Sequence, residues 1–190
     1  MQKKYKIRTD LKIEVFGKTL YRIEALVDFL FVKKGDLGGY VESEDNLSTS
    51  VYGNAWVYGN AWVYGNARVC GNASVYGNAS VYGNAWVYGN AQVYGNAQVY
   101  GNARVYGNAL VRDNDEIEKE HQVINLLGFK FNITLTLTAL KVGCKDLNPM
   151  EIDNYQYSDF KNEISEVDFE LTKQIIKLSY ERMLMIEMGK

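Results

Sequence analysis

The sequence predicts a mainly β protein: a short β-solenoid with an N-terminal β cap and a C-terminal α+β segment that ends in an amphipathic helix. Three observations support this prediction. The phrase Val-Tyr-Gly-Asn-Ala-x occurs ten times between residues 51 and 110, with Cys70 once in place of tyrosine. All three tryptophans lie inside this repeat and all seven phenylalanines lie outside it. Apolar residues return at helical spacing only near the end of the chain.

The repeat itself indicates short strands joined by tight corners. A helix would be interrupted by a glycine and an asparagine every six residues, and both residues favour turns. In an extended strand, side chains alternate between two faces, so Ala55 and Val57 point one way while Trp56 and Tyr58 point the other. We therefore predict a continuous interior column of valine and alanine over residues 49–112, with the aromatic residues outside.

The phrase Val-x-Gly-Asn-Ala-x resembles the hexapeptide repeat of left-handed parallel β-helices. In that family three hexapeptides form one triangular coil, so the resemblance implies a left-handed triangular prism of three to four coils. Residues 18 apart would then stack on the same side. A second resemblance links the chain to uncharacterised phage and prophage proteins with Tyr-Gly-Asn-Ala repeats, and implies a phage or prophage origin. It is carried by Leu20-Tyr-Arg-Ile23, Gly35-Asp-Leu-Gly-Gly39 and Asn46-Leu-Ser48.

The segments on either side of the repeat are predicted to form ordinary cores. Residues 1–48 contain short strands at 5–7, 12–15 and 20–23 around Gly17, and residues 35–39 form a turn that directs the chain into the first coil. In residues 113–190, a half-buried strand and two helices are expected, the first helix over 149–157. The strand alternates through Phe129, Phe131, Ile133, Leu135 and Leu137.

The last helix is predicted to begin near Ser165, just after Ile164. Its apolar face would contain Val167, Leu171, Ile175 and Leu178, in spacing that continues to Arg182. The segment 183–186, Met-Leu-Met-Ile, would pack on the strand or on another subunit.

Charge is distributed unevenly along the chain, with a net +1 over residues 1–50, +3 over 51–112 and −6 over 113–190. We interpret the acidic run that follows the repeat as a solvated linker, with an electrostatic docking patch as the alternative. No part of the chain has the basic surface expected for duplex DNA binding. The acidic run comprises Asp113, Asp115, Glu116, Glu118 and Glu120.

Two further features bear on location and redox state. Neither a signal peptide nor a run of apolar residues long enough to span a membrane is evident, so we expect a cytoplasmic location. Cys70 and Cys144 match no metal or redox spacing and are expected to be reduced thiols.

Many hexapeptide-repeat proteins are acyltransferases, in which a histidine acts as general base. This repeat contains no histidine, and the single His121 lies in a charged run beyond it, where we interpret it as a solvated linker residue. The sequence also lacks a phosphate-binding glycine loop and a cluster of metal ligands. We therefore expect neither an enzyme, nor a cofactor, nor a metal, and disfavour acyl transfer.

Stacking at 18-residue intervals places the variable sixth residue in three columns. These are Trp56, Ser74, Gln92 and Leu110; Trp62, Ser80 and Gln98; and Arg68, Trp86 and Arg104. Tyrosines form parallel columns that could be structural ladders. Exposed Trp, Tyr and Arg dominate protein interfaces, so the sequence predicts a partner-binding surface. Its candidate residues are Trp56, Trp62, Arg68, Trp86, Arg104, Tyr58, Tyr64 and Tyr88.

These features lead to the prediction of a non-catalytic, phage-type protein-binding module with a protein partner from a host or phage complex. Inhibition of a host defence complex, as by an anti-CRISPR protein, is the specific expectation. A self-assembling, homo-oligomeric structural protein is the alternative. Single-stranded nucleic acid, which stacks its bases on aromatic side chains, is a less favoured partner because the repeat has only three arginines.

Overall fold

The structure is a computed structural model that describes residues 2–126, 131–143, 145–160 and 165–189. It is mainly β and divides into two compact units, Met1–Glu120 and His121–Lys190. The first contains the repeat and the second ends in the only described α-helix. The predicted fold class is confirmed, whereas several of the predicted boundaries and buried faces differ from those observed.

The first unit opens with a β-hairpin. Strands β1 (Tyr5–Val15) and β2 (Lys18–Ala25) pair antiparallel, and β3 (Leu37–Val41) adds to β2. The turn between β1 and β2 places Phe16 and Gly17 at positive φ, 49° and 75°. The strands predicted at 5–7 and 12–15 are both parts of the single strand β1, and the strand predicted at 20–23 lies within β2. The segment predicted to be a turn at residues 35–39 instead runs into β3, which pairs parallel with the first coil.

The repeat forms two-residue strands, three to a coil, which stack into three sheets. We call these sheets side 1, side 2 and side 3. Side 1 contains β5 (Trp62–Val63), β8 (Ser80–Val81), β11 (Gln98–Val99) and β14 (Glu116–Ile117), and continues through β3 into the hairpin. Side 2 contains β4 (Trp56–Val57), β7 (Ser74–Val75), β10 (Gln92–Val93) and β13 (Leu110–Val111). Side 3 contains β6 (Arg68–Val69), β9 (Trp86–Val87) and β12 (Arg104–Val105).

Residues 18 apart pair in parallel register, as predicted. Trp56 lies opposite Ser74, Trp62 opposite Ser80 and Arg68 opposite Trp86. The valines and alanines of the coils are buried in the interior. Backbone N–H groups of each coil donate to carbonyl groups of the next, so the carbonyl groups of the first coil point toward the N-terminal end.

The corners repeat one geometry. Glycines 59 to 107 have φ between 59° and 72°, a region that side chains with a Cβ rarely adopt. Asparagine amides form ladders along the corners, such as the Asn66 amide that donates to the Asn84 side-chain oxygen at 3.0 Å. Tyrosine rings stack with centroids 4.8 to 5.4 Å apart. The tyrosine columns are therefore ladders that support the coils.

The N-terminal end of the solenoid departs from the predicted register. Val51 was expected at the head of the interior column of side 3, but its side chain is 37% exposed and the neighbouring Tyr52 is 97% exposed. Leu47 occupies that position instead, since it forms a parallel bridge with Val69 and is fully buried. The chain contains four more residues here than the regular repeat requires, and these residues bulge outward.

The C-terminal end also differs, because the acidic run after residue 112 is the last part of the solenoid rather than a solvated linker. Asp113 takes the place of the corner glycine, with φ 56°, and Ile117 fills the valine position, fully buried. Asp115 stands where alanine is expected and is only 3% exposed. Its carboxylate accepts the Arg112 backbone N–H at 3.2 Å. The predicted boundary at residue 112 thus falls inside the last coil.

The second unit is an antiparallel sheet with one long helix. After a 3-10 turn at Glu120–Gln122, the strands are β15 (Val123–Leu126), β16 (Ile133–Thr136), β17 (Leu140–Val142) and β18 (Lys145–Leu147). Two 3-10 segments, Pro149–Asn154 and Tyr157–Asp159, lead to helix α1 (Glu166–Glu187). The core contains Ile133, Leu135, Leu140, Ile152, Ile176, Tyr180 and Met183. No described helix is long and apolar enough to cross a membrane.

Three predictions for this unit need correction. The predicted alternating strand is shorter, Ile133–Thr136, and all four of its residues are buried, so the predicted alternation between buried and exposed residues is absent. Strands β15 and β17 flank it, and α1 packs against it. Phe129 lies outside the described residues. The segment after Pro149 forms 3-10 turns rather than one helix, although the Asn148 side chain caps it by accepting the Met150 N–H at 3.0 Å.

The third correction concerns the face of α1. Val167, Leu171 and Leu178, predicted to be buried, are 79%, 52% and 66% exposed. The helix is amphipathic in a different phase, because a second set of residues at the same helical spacing packs inward. Met183 of the Met-Leu-Met-Ile segment belongs to this buried set, whereas Ile164 lies outside the described residues. The buried residues of α1 are Phe169, Thr172, Ile176, Tyr180 and Met183.

Candidate functional site

The eight predicted binding residues are distributed over all three sides of the prism. Side 2 carries the first pair, Trp56 and Tyr58, and side 1 carries the second, Trp62 and Tyr64. Side 3 and its adjoining corner bring the other four together, namely Arg68, Trp86, Tyr88 and Arg104. Because one partner surface requires neighbouring residues, side 3 is the candidate site.

Trp56 was predicted to be exposed, but it is 1% exposed and belongs to the core. Phe29 of the N-terminal cap lies edge-on to the indole at 5.2 Å between ring centroids, Tyr5 at 6.1 Å and Tyr58 at 6.4 Å. Sequence periodicity could not reveal this, because the residues that cover Trp56 come from outside the repeat. Trp56 therefore stabilises the cap and contributes nothing to a surface.

Trp62 is half-buried on side 1, next to Tyr40 of β3, whose backbone pairs with it. Together with exposed Phe16 at the hairpin tip, it borders a shallow groove. Tyr64 stacks on Tyr82 with centroids 5.1 Å apart, which makes it part of a ladder. Both side chains are therefore only partly exposed.

Side 3 presents an exposed cation–aromatic column. Trp86 is 42% exposed, and the guanidinium carbons of Arg68 and Arg104 lie 5.7 and 5.9 Å from its ring centroid, one strand before and one after it in the sheet. Such guanidinium–indole contacts are attractive because the ring face carries partial negative charge. Both arginines are exposed, and neither forms an ion pair with any described residue. Their hydrogen-bond donors remain available to a ligand.

A second column runs beside the first and contains Cys70, Tyr88 and Tyr106. The two tyrosines stack with centroids 5.4 Å apart, and Trp86 lies edge-on to Tyr88 at 6.5 Å. Cys70 replaces the tyrosine of the first coil, so the column ends in a small side chain. This leaves the N-terminal part of side 3 more open than the equivalent part of the other sides.

A groove of about 920 Å³ lies at this open end. Leu47, Tyr52, Arg68, Cys70 and Trp86 line it. The sequence indicated Arg68 and Trp86, whereas Cys70 was recognised only as a replacement of one tyrosine and not as a site residue. Leu47 was missed because it was assigned to the cap, and Tyr52 because it was placed by a regular register that the structure does not follow.

Cys70 is the one nucleophilic side chain among the residues described for side 3. Burial raises the pKa of the Cys70 thiol, and the positive charge of Arg68 opposes this shift only in part. The thiol is therefore protonated at neutral pH and is a poor nucleophile. Across residues 2–126, 131–143, 145–160 and 165–189, His, Cys, Asp and Glu form no group of three placed to hold a metal ion.

His121 lies in the second unit and is not the solvated residue that we predicted. Its Nε2 lies 2.9 Å from a Glu187 carboxylate oxygen, and the Gln122 amide donates to the same oxygen at 2.6 Å. These contacts tie the first turn of the unit to the end of α1. His121 therefore has a structural role. The other predicted thiol, Cys144, lies outside the described residues.

The stacked parallel coils make this chain a β-solenoid repeat protein. Its repeats are similar to the YdcK β-solenoid repeat, whose family model matches residues 51–65, 61–77, 67–83, 75–89, 79–95 and 97–113. These matches cover most of the coils and leave out the cap, strand β14 and the second unit. No curated protein matches the sequence.

Proposed function

We propose that this chain is a non-catalytic protein-binding module and that side 3 of its solenoid contacts the partner. The column Arg68–Trp86–Arg104 carries the proposal, because it is the one place where the predicted binding residues meet and stay exposed. Trp and Arg are the residues most enriched among the dominant contacts of protein interfaces.

The surrounding architecture supports such a role. Backbone hydrogen bonds, asparagine ladders and stacked tyrosines hold each coil to its neighbours. A rigid platform loses little conformational entropy when it binds, so more of the contact energy is retained as affinity. The repeat supplies that platform, while the variable sixth residue supplies the side chains that contact the partner.

The resemblance to phage and prophage proteins favours a host complex in the cytoplasm as the target, and a defence complex in particular. A module without catalytic groups would inhibit such a complex by covering one of its surfaces. A second copy of this chain and single-stranded nucleic acid, the two other kinds of partner, have weaker support. With guanidinium groups above and below its ring, Trp86 offers its edge rather than a free face, which disfavours the base stacking used to bind single-stranded nucleic acid.

The experiment is affinity capture from the native host, followed by direct binding between the purified partner and this chain. Trp86→Ala, Arg68→Ala and Arg104→Ala should each weaken binding without unfolding the protein, because all three side chains are exposed. Gln92→Ala is the matched control, since Gln92 occupies the same repeat position on side 2 and is also exposed.

Binding that survives all three side 3 substitutions would show that another surface is responsible. Self-assembly, the alternative function, is tested by sedimentation of the purified chain. If Trp86→Ala converts an oligomer to a monomer and no host protein is captured, side 3 is a subunit interface instead.

A further inference from the structure

We propose that the partner presents an extended acidic segment to side 3, with two carboxylates three residues apart that pair with Arg68 and Arg104. This inference rests on the proposed function and adds the chemistry of the partner. The charge of side 3, the spacing of its two arginines and the aromatic surface between them all favour an acidic protein segment.

Charge complementarity is the first argument. Residues 51–112 contain three basic and no acidic side chains, and two of the three basic ones lie on side 3. Arg68 and Arg104 have no ion-pair partner among the described residues, although most charged groups of the cap do. A guanidinium group binds a carboxylate through two parallel hydrogen bonds, which gives both strength and orientation.

Spacing is the second argument. Arg68 and Arg104 are separated by two strand spacings of one sheet, which is about 10 Å. A polyproline II segment has three residues per turn and rises about 3.1 Å per residue, so residues i and i+3 share a face and lie about 9 Å apart. In a fully extended β-strand, residues i and i+3 face opposite ways. The geometry therefore favours a segment of the form acidic-x-x-acidic in polyproline II conformation.

The aromatic surface between the two arginines is the third argument. Between the two carboxylates, the segment would cross Trp86, whose edge is exposed, and the neighbouring rings Tyr88 and Tyr106. Aromatic-lined surfaces are the usual docking sites of polyproline II segments, since proline rings pack against them. Proline at either intervening position would fit this contact.

Two carboxylates of this chain lie near Arg68 and limit the attraction of side 3 for an acidic segment. Glu44 is paired with Lys3 at 2.6 Å, whereas Asp45 has no such ion pair and lines the same groove as Arg68. Asp45 thus repels an incoming carboxylate, so Asp45→Asn should strengthen binding. This gives a substitution whose expected effect is opposite to that of removing either arginine.

The experiment measures fluorescence polarisation of labelled peptides at low salt with the full chain. A peptide that contains Glu-Pro-Pro-Glu should bind, and its Gln-Pro-Pro-Gln counterpart should not. Arg68→Ala and Arg104→Ala should each weaken the interaction about fivefold. Asp45→Asn should tighten it about twofold. Arg182→Ala, which removes an exposed arginine from the other unit, should leave it unchanged.

Equal binding of the glutamate and glutamine peptides by the unmodified chain would overturn the inference without reference to any variant. So would displacement of the glutamate peptide by an uncharged oligomer of the same length, or tighter binding of oligothymidylate than of the peptide. If Trp86-dependent capture of a host protein persists while the acidic peptide fails to bind, the proposed function stands and only this inference is wrong.

Discussion

The ammonium group of Lys4 donates a hydrogen bond to the carbonyl oxygen of Ala55 at 2.7 Å, in the interior of the cap. It also donates to the Gly53 carbonyl at 3.0 Å, and the whole residue is inaccessible to solvent. These carbonyl groups belong to the first coil, which has no preceding coil to supply N–H donors. On side 2, Lys4 therefore supplies the hydrogen-bond donors that a preceding coil would otherwise provide.

The other sides of the first coil are capped in related ways. The Asn46 amide donates to the Gly65 and Ala67 carbonyls, both at 2.9 Å, while its side-chain oxygen accepts the Ser43 N–H at 2.9 Å. On side 1, the backbone of Tyr40 in β3 donates to Ala61 at 2.9 Å. Because a buried carbonyl without a donor is destabilising, these contacts explain why a cap is required.

We predict a pH dependence of stability that originates in Lys4. Burial lowers the pKa of Lys4 from 10.5 to about 8. Between these values the unfolded chain binds a proton that the folded chain does not, so raising the pH stabilises the folded state. From pH 8 to 9.5 the free energy of unfolding should rise by about 1 to 2 kcal/mol relative to Lys4→Met. Urea denaturation at several pH values measures this difference.

The comparison with Lys4→Met is needed because other groups titrate in the same range. Burial raises the pKa of Tyr58, Tyr64 and Cys70, so their contribution to stability is lost as the pH rises. These groups are the same in both proteins and cancel in the difference. Parallel pH profiles for the two proteins would show that Lys4 is not buried as described.

We predict that Asn46→Ala is strongly destabilising. The substitution leaves the Gly65 and Ala67 carbonyls without donors and the Ser43 N–H without an acceptor, at a cost of about 3 kcal/mol. Asn60→Ala is the control, since Asn60 is an exposed corner asparagine whose side chain makes no hydrogen bond to the described chain. Chemical denaturation compares the two. Equal losses would contradict a capping role.

The close approach of β3 to the first coil leads to a prediction for Gly39. A Cβ atom at this position would lie 2.6 Å from both the Ala61 carbonyl oxygen and a Val57 methyl group. Gly39→Ala should therefore destabilise the protein by about 2 to 3 kcal/mol. Gly17→Asn, at a hairpin turn with open space and positive φ, should change stability by less than about 0.5 kcal/mol. A Gly39→Ala protein as stable as Gly17→Asn would rule out the tight contact.

Sequence periodicity accounts for the coils because each repeat interacts mainly with its neighbours at the same positions. The stacking of Arg68 on Trp86 follows directly from the 18-residue interval. The burial of Trp56 does not, since it depends on Phe29, a residue with no fixed relation to the repeat. The cap contacts of Lys4 and Asn46 could not be predicted from the sequence either, because they are single long-range contacts without a recurring pattern.

In the second unit, prediction from the sequence failed for a different reason. Two apolar stripes of α1 have the same helical period, and only packing selects the one that contains Phe169 and Ile176 over the one that contains Leu171 and Leu178. At the end of the solenoid, the acidic composition of residues 113–120 led to the prediction of a linker. The repeat register nevertheless continues there, with Asp113 at the corner position and Ile117 at the core position. The hand of the coils and the identity of the partner stay predictions.

The single break in the tyrosine columns yields a final prediction. Cys70 precedes Tyr88 and Tyr106 in the column beside side 3, where a tyrosine would stack on Tyr88. Cys70→Tyr should therefore stabilise the protein by about 0.2 to 1 kcal/mol, the value of one cross-strand aromatic pair. Tyr106→Cys, at the other end of the same column, should destabilise it by a similar amount. Urea midpoints measure both, and a less stable Cys70→Tyr protein would mean that the groove beside Trp86 is too narrow for a third ring in this column.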